Sequence, residues 1–170
     1  MKLRSGLGAL LVLASCSVSN HNVFNDHRLA FVAPPSRAHV RLPVKLRWTI
    51  RGFTPAPPGD GEPSRTRGYF AIFVDRSPVR PGQTLAAVAD RDTSCKRKPG
   101  CPDASYLADR QIYTTDGDRL VLDRVADFVD NRERQQLHEV TLVLLDTAGR
   151  RIGESAWYID FWLPRAGVAS

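Results

Sequence analysis

The clearest pattern in the chain lies between residues 40 and 50. Val40, Leu42, Val44, Leu46, Trp48 and Ile50 are apolar, and Arg41, Pro43, Lys45, Arg47 and Thr49 separate them. Such alternation predicts a β-strand with one face on a core and one in water. Pro43 has no N–H to give to a ladder, so this part of the strand belongs at an edge or a bulge. A second segment, Tyr-Phe-Ala-Ile-Phe-Val-Asp at 69–75, is apolar on both faces. It predicts a central, fully covered strand. Residues 138–146 read the same way. Thr147-Ala148-Gly149 turns the chain, and 151–163 returns as the last strand.

Shorter signals fill the gaps. Residues 29–32 predict a brief strand ending at Pro34-Pro35. Residues 111–114 and 119–122 flank Asp116-Gly117, a hairpin signal. Val125, Phe128 and Val129 recur at helical spacing, which predicts a short helix over 123–134. The Pro/Gly-rich stretch 54–68 reads as a surface loop between two strands. Seven or so short strands and one short helix predict a mainly β domain over 29–164, an antiparallel β-sandwich, with 165–170 as a tail.

Three segments carry a family likeness. They are Ala33-Pro34 closing a first strand, Leu42-Pro43-Val44-Lys45-Leu46-Arg47-Trp48 as a second, and Leu145-Asp146-Thr147-Ala148-Gly149 with residues 155–161 at the end. Over 29–163 the chain resembles an immunoglobulin-like or fibronectin-III-like bacterial surface domain. The intersheet disulfide of antibody domains has no counterpart, because Cys95 and Cys101 are too close in sequence to join two sheets.

The N-terminus has a different grammar. Lys2 and Arg4 form a basic head, 6–13 is apolar, and the run ends in Leu13-Ala14-Ser15-Cys16. This is the layout of a secretory signal peptide. Residues 6–15 are about half the ~20 residues that a membrane-spanning helix needs. The last four residues resemble the lipobox of bacterial lipoproteins. The resemblance implies removal of residues 1–15, acylation of Cys16 and anchoring at the outer face of the cytoplasmic membrane. One acyl chain holds marginally and two hold stably. A plain signal peptide with a coincidental cysteine is the alternative. Residues 16–28 then form the acylated end and a short tether.

Composition agrees with export. The net charge of +6 includes Lys2 and Arg4, so the mature chain carries +4. That is too mild to argue for a nucleic-acid partner. Only Lys2, Lys45, Lys96 and Lys98 are lysines, so 20 of the 24 basic residues are Arg. Such a bias is expected of a GC-rich genome, an actinobacterial one for example. With Cys16 acylated, Cys95 and Cys101 remain as a pair around Lys96-Arg97-Lys98-Pro99-Gly100. Outside the cytoplasm they are expected to form a disulfide. Their spacing is neither a zinc pattern nor a Cys-x-x-Cys redox motif.

Catalytic motifs are weak. His138-Glu139 begins like His-Glu-x-x-His, but Leu142 stands where the second histidine belongs. It reads as a strand-start histidine near a turn. Asp116-Gly117-Asp118 lacks the further acids of a calcium loop. His21, His27 and His39 read as solvated, and neither a metal nor a cofactor is expected. Two surfaces are candidates for binding. Tyr158, Asp160 and Trp162 alternate with the apolar positions of the last strand, and two aromatics beside an acid suit a sugar ring or a peptide. The plainer alternative covers Tyr158 and Trp162 with a loop such as 54–68. Arg41, Lys45 and Arg47, with Lys96, Arg97 and Lys98, suit anionic lipid or wall polymer. A solvated face is the plainer reading there. The expected function is a non-catalytic, lipid-anchored domain that binds an envelope protein or wall glycan. The alternative is an envelope enzyme or accessory domain with a scattered site.

Overall fold

A computed structural model describes residues 26–129 and 133–165; the predicted signal peptide and Cys16 lie outside them. The strands are β1 (Leu29–Ala33), β2 (Ala38–His39), β3 (Val44–Ile50), β4 (Thr54–Pro55), β5 (Arg67–Val74), β6 (Ile112–Thr115), β7 (Arg119–Leu122), β8 (Gln135–Asp146) and β9 (Trp157–Pro164). Three strands form a small sheet in the order β1-β3-β7, both pairings antiparallel. The other six form a large mixed sheet, β2-β9-β8-β5-β4, with β6 also on β5. Here β2–β9 and β4–β5 are parallel, whereas β9–β8, β8–β5 and β5–β6 are antiparallel.

The alternation in β3 does what period two requires. Val44, Leu46 and Trp48 enter the space between the sheets, while Lys45, Arg47 and Thr49 face water. Pro43 lies just ahead of the paired residues and gives up no ladder bond. The shared core adds Phe70, Ile72 and Val74 from β5, Val140, Leu142 and Leu144 from β8, and Ile159, Phe161 and Leu163 from β9. Trp48 packs edge-on against Phe70 at 5.3 Å and Phe31 at 6.3 Å. Burying each such side chain contributes about 1.5–3 kcal/mol.

The two-sided strands have a cause beyond a central position. Tyr69, Ala71 and Phe73 of β5, with Val143 and Leu145 of β8, point away from the small sheet. They meet Val79, Leu85 and Leu107 from the 75–111 connection, which forms a third layer. That connection holds a 3-10 helix (Leu85–Ala89) and helices α1 (Thr93–Arg97) and α2 (Ala104–Ala108). The Asp92 carboxylate accepts from the backbone N–H of Ser94 and Cys95, and Asp103 accepts from Tyr106. These are N-caps, which satisfy the free donors of a first helical turn. The disulfide Cys95–Cys101 closes the link between the helices, with Cα atoms 5.3 Å apart.

The helix expected at 123–134 does not form in the described part of that stretch. Its backbone donors bond to side chains instead. The Gln111 amide oxygen accepts from Ala126 N–H, and that of Gln136 accepts from Phe128 N–H. So the one predicted helix is replaced, among the described residues, by three short ones elsewhere, and 123–129 is a non-helical strap laid on the sheet. The last strand is also shorter than expected. Arg151 makes only an isolated bridge to Leu145, and regular pairing starts at Trp157.

Candidate binding surface

β9 sorts its side chains by parity. Ile159, Phe161 and Leu163 enter the core, and Trp157 packs against it. Tyr158, Asp160 and Trp162 therefore share the opposite face of the large sheet. Their partners on β8 are Thr141, Glu139 and Leu137 respectively. The helical layer lies over β5 and the far half of β8, so this corner of the sheet is left open.

The three predicted residues have different fates. Tyr158 is 73% exposed. Trp162 is half-buried and stacks on His39 of β2, with ring centres 6.1 Å apart and planes 15° apart. The His39 Nδ1 in turn meets the Gln135 amide oxygen. Asp160 is occupied in holding the chain that leads into β2. Its carboxylate accepts from the Ser36 hydroxyl and from Arg37 Nε, and its backbone oxygen accepts from Arg37 N–H at 2.7 Å. The Ser36 bond is the main cause that keeps this carboxyl below the ordinary aspartate value. The result is an aromatic strip of Tyr158, Trp162 and His39, widened by half-exposed Leu137 and bordered by Glu139.

The 54–68 loop does not cover this strip, which corrects the plainer reading of Tyr158 and Trp162. The loop runs beside β5 through β4, with β8 and β5 between it and β9. The basic candidates are not brought together either. Lys45 and Arg47 lie on the outer face of the small sheet, where Arg47 pairs with Arg119. Lys96, Arg97 and Lys98 belong to the α1 region, on the far side of the large sheet. Lys98 is paired with Asp103 at 2.9 Å.

One polar pair escaped sequence reasoning. His138 is the fourth residue of β8, near the strand start as expected, but its side chain is buried. Its Nδ1 lies 2.7 Å from Asp75 Oδ2, and the two side chains are 2% and 8% exposed. Phe128 of the strap stacks on the imidazole at 5.0 Å and 12°. An imidazole oriented by a carboxylate supplies two of the three members of a hydrolytic triad. Here the second carboxylate oxygen accepts from Glu139 N–H, and the ring is sealed between Phe128 and Phe161. The pair is placed to fasten the strap. The available signal was weak: an Asp ending one strand and a His starting its neighbour. Among the described residues there is no group of three or more His, Cys, Asp or Glu that could hold a metal ion. The open strip can stack and hydrogen-bond, which is the chemistry of recognition.

Compared with protein families, curated proteins and solved structures, the chain matches none of them.

Proposed function

We propose that this is a lipid-anchored envelope protein whose β domain binds a protein or wall-glycan partner without catalysis. The observation that carries the binding role is the uncovered strip of Tyr158, Trp162, His39 and Leu137 at one end of a sheet whose centre, β5 and the far half of β8, is covered on both faces. Amphipathic rings are favoured at recognition surfaces because they offer large apolar area with few rotors. The finer reading is an immunoglobulin-like or fibronectin-III-like domain. Two short-stranded sheets around one core support it, and the third layer is an addition to that plan. The anchoring part rests on Leu13-Ala14-Ser15-Cys16 and the basic-apolar leader before it. The sealed environment of His138 and Asp75 favours binding over hydrolysis.

The binding role is tested by crosslinking in cells with Tyr158→Ala plus Trp162→Ala. The double variant is expected to lose the captured partner. Tyr158→Ala alone, at a mostly exposed residue, is expected to weaken capture while keeping the melting temperature, because Trp162 is half-buried against His39. An unchanged capture profile would remove this surface from the function. The anchor is tested separately with Cys16→Ala, which should leave the membrane fraction. Retention after a salt wash would sink the anchor.

A further inference from the structure

A second site lies away from the aromatic strip. A cleft of about 460 Å³ opens between the 63–65 loop, the turn at Pro81-Gly82 and residues 150–154. Three arginines line it: Arg65, Arg150 and Arg151. Arg151 is only 7% exposed. Its Nη1 donates to Val79 O at 2.6 Å, and its Nη2 donates to Glu154 O at 2.9 Å and Ser155 O at 3.2 Å. All three acceptors are neutral carbonyls. The Nε–H is buried without a partner. No carboxylate pairs with this guanidinium among the described residues. An unneutralised cation in such a position is costly. Burial accordingly draws Arg151 below the ordinary arginine value, opposed by the field of Glu154.

The other two cations are free to reach a ligand. Arg150 holds the Gly82 carbonyl through Nη1 alone, and Arg65 has no hydrogen-bond or ion-pair partner among the described residues. Two carboxylates also line the cleft, Asp146 and Glu154. Asp146 is already engaged by the N–H groups of Ala148 and Arg150. Three cations against two anions leave one positive charge. That matches an oxyanion of single negative charge, and guanidinium forks suit phosphate oxygens.

We propose that this cleft binds a phosphodiester group, held directly by Arg65 and Arg150 over the fixed charge of Arg151. The site does not depend on the aromatic strip or on acylation of Cys16. In an envelope setting its ligand is a phosphodiester-linked polymer or a phospholipid headgroup, and both share the group tested below.

The test is an NMR titration of the full chain with dimethyl phosphate at constant ionic strength, with acetate in parallel. Saturable shifts are expected at the backbone amides of Gly82 and Gly153, which line the cleft. Arg65→Gln plus Arg150→Gln should weaken binding about tenfold or more. Both side chains are exposed, so the fold should persist, and an unchanged amide spectrum away from the cleft checks this. Absence of saturable shifts, equal affinity in the double variant, or acetate binding as tightly as dimethyl phosphate would each overturn the proposal. A glycerol phosphate polymer and anionic vesicles, added separately, distinguish the two sources. Competition by either with dimethyl phosphate supports the site, and competition by neither counts against it.

Discussion

His138 Nδ1 and Asp75 Oδ2, 2.7 Å apart, tie the end of β5 to the start of β8 beneath the Phe128 ring. Asp75 adopts a left-handed backbone at φ 53°, uncommon outside glycine, asparagine and aspartate. Asp75→Asn keeps that tolerance and an acceptor for Glu139 N–H, so it should cost only about 1 kcal/mol. His138→Ala also removes the surface on which Phe128 rests and should cost about 3 kcal/mol. Urea unfolding of both variants checks the order. A His138→Ala loss smaller than that of Asp75→Asn would show that the strap does not depend on this ring.

Gly68 has a positional requirement. Its φ is 150°, and a Cβ there would overlap the Leu145 carbonyl oxygen and lie 2.8 Å from Asp146 Cα. Gly68 pairs with Asp146 in the ladder that joins β5 to β8. Gly68→Ala should therefore destabilise by about 3 kcal/mol or more, well beyond an ordinary surface change. A melting temperature within a degree or two of the parent would refute the close approach.

The disulfide acts mainly on the helical layer. Closing so short a loop contributes about 2 kcal/mol in the chain-entropy model. Cys95→Ser plus Cys101→Ser should lower stability by that amount and raise amide exchange first in α1 and α2. Exchange rising equally in β5 and β8 would mean that the layer does not open separately.

The Asp26 carboxylate accepts from Arg28 N–H, Nε and Nη2 and from the Ser155 hydroxyl at 2.7 Å. Its backbone oxygen accepts from Trp157 Nε1 at 2.7 Å. The Arg28 guanidinium, first among the causes, holds this carboxyl well below its ordinary value. A lowered folded pKa contributes stability above the unfolded value of about 3.9 and loses it as pH falls further. Asp26→Asn should cost about 1 kcal/mol near neutrality, and the gap to the parent should narrow below about pH 4. Urea midpoints across that range measure it, and a constant gap would contradict the linkage.

How much of this was readable in advance follows the range of each interaction. The alternation at 40–50 specified β3 and its buried face, because period two is a local property. The apolar runs specified β5 and the buried half of β8. The helix predicted from Val125, Phe128 and Val129 failed because Gln111 and Gln136, 15 and 8 residues from the groups they bind, took two of its backbone donors. The real helices carry a local signal, Asp92 and Asp103 at their N-caps, but each is only five residues long and gives no periodicity.

By itself, then, the sequence determined the long strands β3, β5 and most of β8, the face polarity of β3 and β9, the expectation of export and the cysteine pairing, all set by neighbouring residues or spacing. It missed β2 and β4, whose parallel pairings make the large sheet mixed and not antiparallel throughout. Only the tertiary structure decided which surfaces stay open. Parity placed Tyr158, Asp160 and Trp162 on one face, but strand order decided that the 54–68 loop lies too far away to cover them. Spacing could not bring Asp75 to His138, or Arg65 to Arg150 and Arg151. Those meetings depend on how sheets and loops pack, and packing joins residues that the chain keeps far apart.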